Sequence, residues 1–247
     1  MEPRLVTPHF DDLGVRIGLV LLSSDQNGER AFRQIAEGAG ASCYSTRVVY
    51  HYGAASPEQE DAELMTAANQ ILPDSGIDVL AYSCTSRSAE KGEAAMIDLL
   101  AEARPGVVAT TPLLAARLAL TALGARKVAV LSPYKTQTHE TVVTAIEAQG
   151  FEIAGSATFD LGLGTEFARL TPGAIVEAAT TLAQAKPDAI FVSCTGIRAP
   201  AAIEAIEDAT GVPVVTSSQA LAWHALALGG LTGQGPGKLF ETDPRPC

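Results

Sequence analysis

Residues 78–85 read DVLAYSCT and residues 188–195 read DAIFVSCT, so the chain places an Asp, five residues and then a Cys twice, 110 positions apart. Each copy is a short apolar run ending in a small polar group, the signature of a buried strand that runs into a turn. Two flanking pairs repeat in the same order. Residues 16–29 (RIGLVLLSSDQNGE) align with residues 127–140 (KVAVLSPYKTQTHE), matching Gln26 with Gln137 and Glu29 with Glu140. Residues 106–117 (GVVATTPLLAAR) align with residues 211–222 (GVPVVTSSQALA). Three matched segments in one order state a single plan twice.

Short aliphatic runs alternate with stretches of helical period throughout, which is the pattern of strand–helix units on parallel sheets. Strands are expected at 16–22, 45–50, 79–82, 107–110, 127–131, 153–158, 189–192 and 212–216. Helices are expected at 26–37, 57–71, 90–103, 112–123, 139–148, 172–184, 199–208 and 219–227. The expected fold is therefore α/β with two similar lobes, each a parallel sheet of about four strands flanked by helices. A pseudo-twofold axis relates the lobes, and the site lies between them. The chain divides into an N-terminal arm (1–15), a first lobe (16–110 with 217–228), a second lobe (111–216) and a C-terminal tail (229–247). The tail is rich in Gly and Pro and lacks periodicity, so it reads as a loosely docked arm.

At 247 residues the chain can bury a substantial core, and 47% hydrophobic against 18% charged residues is the balance of an ordinary globule. Seventeen Lys and Arg against 28 Asp and Glu give a net charge of −11, which repels phosphate backbones and anionic lipid surfaces. Nucleic acid and membranes are thus not expected partners. No apolar run reaches the roughly 20 residues of a membrane span. The N-terminal stretch MEPRLVTPHFDDLG carries acids where a signal peptide has a basic flank, so a cytoplasmic location is expected.

Four cysteines, Cys43, Cys84, Cys194 and Cys247, form no CxxC pair and sit near no histidine at zinc-ligand spacing. In a reducing compartment that leaves packing or catalysis. Cys43 reads as core and Cys247 as incidental. A lone strand-end cysteine is ordinarily packing as well, but two at mirrored positions read as chemistry. Cys84 and Cys194 each follow a strand and precede a helix, at the carboxyl ends where open α/β sheets bind ligands. Backbone N–H groups and a helix dipole there favour thiolate. The same groups, with the hydroxyls of Thr85, Ser86 and Thr195 and the freedom of Gly196, suit a substrate carboxylate or enolate. Two such thiols can work on opposite faces of one carbon, or divide into nucleophile and proton donor. No metal or organic cofactor is required, and the chain has no GxGxxG or P-loop; the GLG at 162–164 is too short a glycine motif for a nucleotide.

The paired Cys-Thr motifs, the SSD turn after the first strand, the SPY turn at Ser132–Tyr134 and the GVPVVTSS stretch together resemble the aspartate/glutamate racemase superfamily. Within it the chain is most similar to the maleate cis-trans isomerase and arylmalonate decarboxylase branch, over roughly residues 16–229. That resemblance implies a cofactor-independent isomerase of a small carboxylate or dicarboxylate, in which Cys84 attacks and Cys194 handles the proton. Arylmalonate decarboxylases keep only the second cysteine, so two thiols favour isomerase or racemase over lyase. It also implies that Tyr134, with Ser132 on the same turn, binds a carboxylate or enolate, and that Ser217 and Ser218 lie near the site or cap the last helix. A homo-oligomer, dimer or tetramer, is expected on the same ground. The first turn departs from the maleate isomerase pattern of Asn after two serines: here Ser24 is followed by Asp25, which would repel a dicarboxylate and receive an ammonium. That opens the alternative of an amino-acid racemase of the aspartate/glutamate or ectoine-degradation type. A binding protein for small carboxylates on the same plan is the non-enzyme alternative. His139, His224 and Trp223 read as packing residues, and Arg87 and Arg198 as surface cations within reach of a carboxylate.

Overall fold

The structure, a computed structural model, describes residues 3, 6–11, 13–51, 54–73, 76–162 and 164–243. The first half runs β1 (Arg16–Leu22), α1 (Gly28–Gly38), β2 (Ser42–Val48), α2 (Pro57–Asn69), β3 (Val79–Ser83), α3 (Thr85–Lys91), α4 (Glu93–Ala103) and β4 (Val108–Thr110). The second half runs α5 (Pro112–Ala122), β5 (Lys127–Ser132), α6 (Thr136–Ala148), β6 (Glu152–Thr158), α7 (Gly164–Arg169), α8 (Pro172–Ala183), β7 (Ala189–Val192), α9 (Ile203–Thr210), β8 (Val214–Thr216) and α10 (Ser217–Leu228). Two four-stranded sheets result, in the orders β2-β1-β3-β4 and β6-β5-β7-β8, with every pairing parallel. The two orders are the same topology, as the repeat implied.

The alternation along β1 shows why the sheet is covered on both faces. Ile17, Leu19 and Leu21 join one apolar cluster with Phe32 and Ile35 of α1, while Val20 joins another with Leu64 of α2 and Leu100 of α4. Side chains two apart share a face, so one strand feeds two helix layers. Helix α10 adds Leu221, Ala222, Ala225 and Leu226 to the cluster around Ile17, and Ala220 and Trp223 to the core of the second half. Buried at ten of its twelve residues, it serves both sheets.

Several boundaries differ from the sequence reading for local reasons. β2 begins at Ser42, because Arg16 pairs with Ser42 and the ladder fixes the start. The helix expected over 90–103 is two helices, separated at Gly92 by a backbone φ of 86° that only glycine adopts freely. Residues 164–169, expected as loop, form α7.

The tail is packed rather than loose as far as residue 243. Leu239 is fully buried, Gln219 Nε2 donates to the Pro236 carbonyl at 2.7 Å, and Lys238 N donates to Glu207 Oε2 at 3.0 Å. Cys247 lies outside the described residues. Among the described residues no helix is long and apolar enough to cross a membrane.

Candidate active site

In each sheet the strand order reverses direction between its two central strands, and the turns leaving those strands meet at one cleft. β1 delivers Ser24 and Asp25, β3 delivers Cys84, β5 delivers Tyr134 and β7 delivers Cys194; all five line one cavity of about 130 Å³. Thr85, Ser86, Thr195 and Gly196 complete the sequence-expected part of its wall. Its remaining lining includes Tyr50, Lys135, Leu161 and Phe167, which sequence reasoning missed. Phe167 arrives on α7 and meets Tyr134 edge-on at 6.0 Å between ring centroids. A six-residue helix with one aromatic residue carried no periodic signal. Lys135 directly follows the SPY turn and was within reach of that reading.

The two thiols are equivalent in sequence but not in backbone. Cys84 caps α3 with an extended φ of −144°. Cys194 sits at φ 93°, a conformation that costs a non-glycine residue on the order of 1–3 kcal/mol and must be held by its surroundings. What holds it is Ser217, whose Oγ accepts the Cys194 N–H at 3.0 Å. No helix starts at Thr195; the chain next forms a 3₁₀ turn at Ala199–Ala202. The expectation of a helix N-terminus therefore holds for Cys84 alone.

The Cys-Thr motifs are also cross-linked. Thr85 Oγ1 donates to Ser217 Oγ at 2.9 Å, and Thr195 Oγ1 donates to the Ser83 carbonyl at 3.0 Å. Both threonines are buried in the cavity wall, and each hydroxyl donates to a protein acceptor in this structure. Ser132, unlike the two threonines, does not line the cavity. Fully buried, it bonds His139 Nδ1 at 2.8 Å and Thr158 Oγ1 at 3.3 Å, and Thr158 in turn donates to the Tyr134 carbonyl. Ser132 braces the turn that presents Tyr134. Ser217 and Ser218 are buried, and the cap of α10 is Thr216, in a capping box with Gln219.

Burial dominates the electrostatics. It pushes the Cys194 thiol from near 9 up to about 12, against the backbone N–H of Gly196 and the Tyr134 hydroxyl, which pull down. Burial also raises Cys84, opposed by the Arg87 N–H, the Ser86 hydroxyl, whose Oγ lies 3.6 Å from Sγ, and the Tyr82 hydroxyl. In the sequence reading the N–H groups and helix dipole favour thiolate; at both sulfurs desolvation by burial outweighs the local donors and favours the neutral thiol. Tyr134 is held well above the ordinary phenol range by burial and stays protonated, a donor.

Asp25 lies where expected, half-buried at the cleft. Its Oδ1 accepts the Gly28 N–H at 2.8 Å and the Glu29 N–H at 3.4 Å, while Arg47 reaches only its backbone carbonyl, at 2.7 Å. Burial raises its pKa despite those N–H groups. A Cβ built on Gly196 would stand 3.7 Å from both Asp25 Oδ2 and Cys194 Sγ. A side chain at Gly196 would thus fill the gap between carboxylate and thiol. Asn27, beside it, donates to the Gly196 carbonyl at 2.9 Å and the Ala168 carbonyl at 3.3 Å, tying α7 to the Cys194 loop. Arg87 is ion-paired with Glu60 and Asp61, and Arg198 donates to the Arg169 and Leu170 carbonyls. His139, His224 and Trp223 are all buried.

Fold and site together define a two-lobed α/β protein with one cysteine from each lobe at a shared cleft. The arylmalonate decarboxylase family model matches residues 58–240, and the chain belongs to that family. It is 29% identical over 198 residues to the arylmalonate decarboxylase of Bordetella bronchiseptica, covering 76% of this chain and 82% of the relative. To the maleate isomerase of Nocardia farcinica it is 28% identical over 225 residues, covering 85% and 88%. Among solved structures it is similar to a cysteine-to-serine variant of the Nocardia farcinica maleate cis-trans isomerase carrying a covalently bound succinylcysteine intermediate. That match has a TM-score of 0.83 at 26% identity over 92% of this chain and 98% of the other.

Proposed function

We propose that the protein is a cofactor-independent isomerase of a small carboxylate, with Cys84 as nucleophile and Cys194 as proton donor and acceptor. The observation that carries this reading is that both thiols border one small cavity between the lobes. In cis-trans isomerisation, Cys84 Sγ bonds to one alkene carbon as the π pair moves toward the neighbouring carbon and its carboxylate. Cys194 gives that carbon its proton, and the proton leaving Cys84 restores the thiol. The former double bond then rotates as a single bond, and the reverse steps release the isomer. A thiol held protonated by burial suits Cys194 as the acid, and the helix cap, Ser86 and Tyr82 suit Cys84 as the group that becomes thiolate. The succinylcysteine of the Nocardia relative is the kind of adduct this sequence passes through. Tyr134 and the backbone N–H groups after each cysteine supply neutral donors for a carboxylate or enolate.

The test is incubation with maleate in deuterated water, followed by NMR and by intact-protein mass. Fumarate formation and an adduct of maleate's mass on Cys84 are expected; neither appearing with any small unsaturated dicarboxylate refutes the reading.

A second reading, racemisation of an amino acid by the same two thiols, is favoured by Asp25. Among the described residues no Lys or Arg ion-pairs with its side chain, and a substrate ammonium would fill that role. We further assign the protein to a reducing cytoplasm, where its buried free thiols persist, and to a homo-oligomer. The exposed apolar side chains of Val6, Phe10 and Leu13 in the N-terminal arm favour such assembly.

A further inference from the structure

Asn27 stands at the N-cap of α1, where an Asn side chain ordinarily accepts a backbone N–H of its own helix, yet it makes no such bond. Asp25 does the capping instead, through Oδ1. The Asn27 amide is thereby released to reach across the sequence. Its Nδ2 donates to the Gly196 carbonyl at 2.9 Å, 169 positions away, and to the Ala168 carbonyl at 3.3 Å, 141 positions away. Both partners are acceptors, so the nitrogen end of the amide faces them and both of its protons are used.

The start of α1 and the Cys194 turn are packed to contact here. A Cβ built on Gly28 would stand 3.0 Å from the Thr195 carbonyl oxygen and 2.5 Å from Asp25 Oδ2, so the first turn of the helix has no room for a side chain there. The Cys194 turn needs holding, because Cys194 sits at φ 93° with its sulfur in the cavity wall. Ser217 takes the Cys194 N–H, Thr195 reaches the Ser83 carbonyl, and Asn27 takes the Gly196 carbonyl. Gly196 is also the residue whose N–H donates toward the Cys194 sulfur, and a Cβ on it would lie 3.7 Å from Sγ. Asn27 is not part of the main cavity's wall, so any effect it has on the sulfur passes through Gly196.

We propose that Asn27 is a positioning residue for proton transfer at Cys194: it fixes the Gly196 peptide so that the Gly196 N–H meets the sulfur as the thiol gives up its proton. The proposal rests on the reading of Cys194 as the proton donor and acceptor. In that step the thiol proton bonds to carbon through the electron pair that the attack of Cys84 left there, and the S–H pair stays on sulfur as thiolate. An N–H already aimed at the sulfur stabilises that charge as it forms, and a peptide free to rotate loses the bond.

Alkylation by iodoacetamide, resolved for Cys84 and Cys194 by peptide mass spectrometry on the full chain, tests this without a substrate, because only the thiolate reacts. In Asn27→Ala, Cys194 is expected to react about tenfold more slowly than in the parent, the scale of one hydrogen bond to a charged group. Cys84, whose donors are the Arg87 N–H, Ser86 and Tyr82, is expected to keep its rate. Asn27→Leu keeps the side-chain bulk without the N–H groups and is expected to match Asn27→Ala. With maleate, kcat is expected to fall by about tenfold in both variants while KM stays within about twofold, the pattern of an interaction made only in the transition state. Parent-like alkylation of Cys194 or parent-like kcat in Asn27→Ala overturns the proposal. So does recovery in Asn27→Leu, which marks packing, or equal slowing of both thiols, which marks a general loosening. Selective slowing at Cys194 in a protein whose parent turns over no small carboxylate supports the hold of Asn27 on Gly196 and refutes the isomerase reading instead.

Discussion

Replacing Ser217 with Ala removes one hydroxyl oxygen on which two buried donors depend, Thr85 Oγ1 at 2.9 Å and Cys194 N at 3.0 Å. A buried donor left without an acceptor costs about 1–3 kcal/mol, so the pair costs about 2–5 kcal/mol after partial relaxation. For a chain of this size each kcal/mol moves the melting temperature by about 2–4 °C, which places the expected drop at about 4–20 °C. Ser218 is the control, one residue along and equally buried, because its Oγ has no hydrogen-bond partner. Ser218→Ala removes a desolvated hydroxyl that bonds to nothing and is expected to fall within about 0.5 kcal/mol of the parent, or above it. The assay is urea and thermal unfolding by circular dichroism on the three proteins at one concentration and pH. Ser217→Ala is also expected to slow turnover, since Cys194 loses the bond that holds its positive φ. Equal stability losses in the two variants, or a Ser217→Ala protein as stable as the parent, would refute the claim that this hydroxyl ties the two lobes' motifs together.

Cys84→Ala and Cys194→Ala are each expected to lower isomerase turnover by about 10²-fold or more, the lower range for losing an acid/base group; near-parent turnover removes that cysteine from the mechanism. Asp25→Asn keeps the oxygen that caps α1 and removes the charge at the cleft, so it is expected to weaken amino-acid substrates and improve plain dicarboxylates. Steady-state kinetics with aspartate and maleate check it, and equal effects on both reject an ammonium site. His224 sits buried with Nδ1 2.8 Å from Thr110 Oγ1, and burial pushes its pKa down to about 4 from 6.5. The unfolded chain binds the proton first on acidification, so stability present above pH 6.5 is lost as pH falls toward 4, by on the order of 1.4 kcal/mol per pH unit at most. Urea midpoints across that window should slope in the parent and flatten in His224→Gln; parallel curves contradict the assignment.

The sequence by itself determined the repeated α/β plan, because strand and helix periods and the Asp-to-Cys spacing are local properties that survive duplication. That the two sheets share one strand order is what a repeated plan requires, though the order itself came from the structure. The thiols had to emerge at strand carboxyl ends because both Cys84 and Cys194 directly follow buried apolar runs. The family resemblance of the SSD and SPY turns pointed to Asp25 and Tyr134, which leave β1 and β5 and line the cleft. Tertiary structure alone decided what each side chain touches. Thr85 meets Ser217 across 132 positions and Thr195 meets Ser83 across 112, contacts that no local period encodes. Ser132 faces His139 instead of the cleft because it is still the last residue of β5, and the turn that presents Tyr134 begins one residue later than its motif. The charge state of the thiols was decided there too. A helix cap is visible in sequence, but the desolvation that overrides it depends on how much of both lobes closes over the sulfur, and only the packed structure sets that.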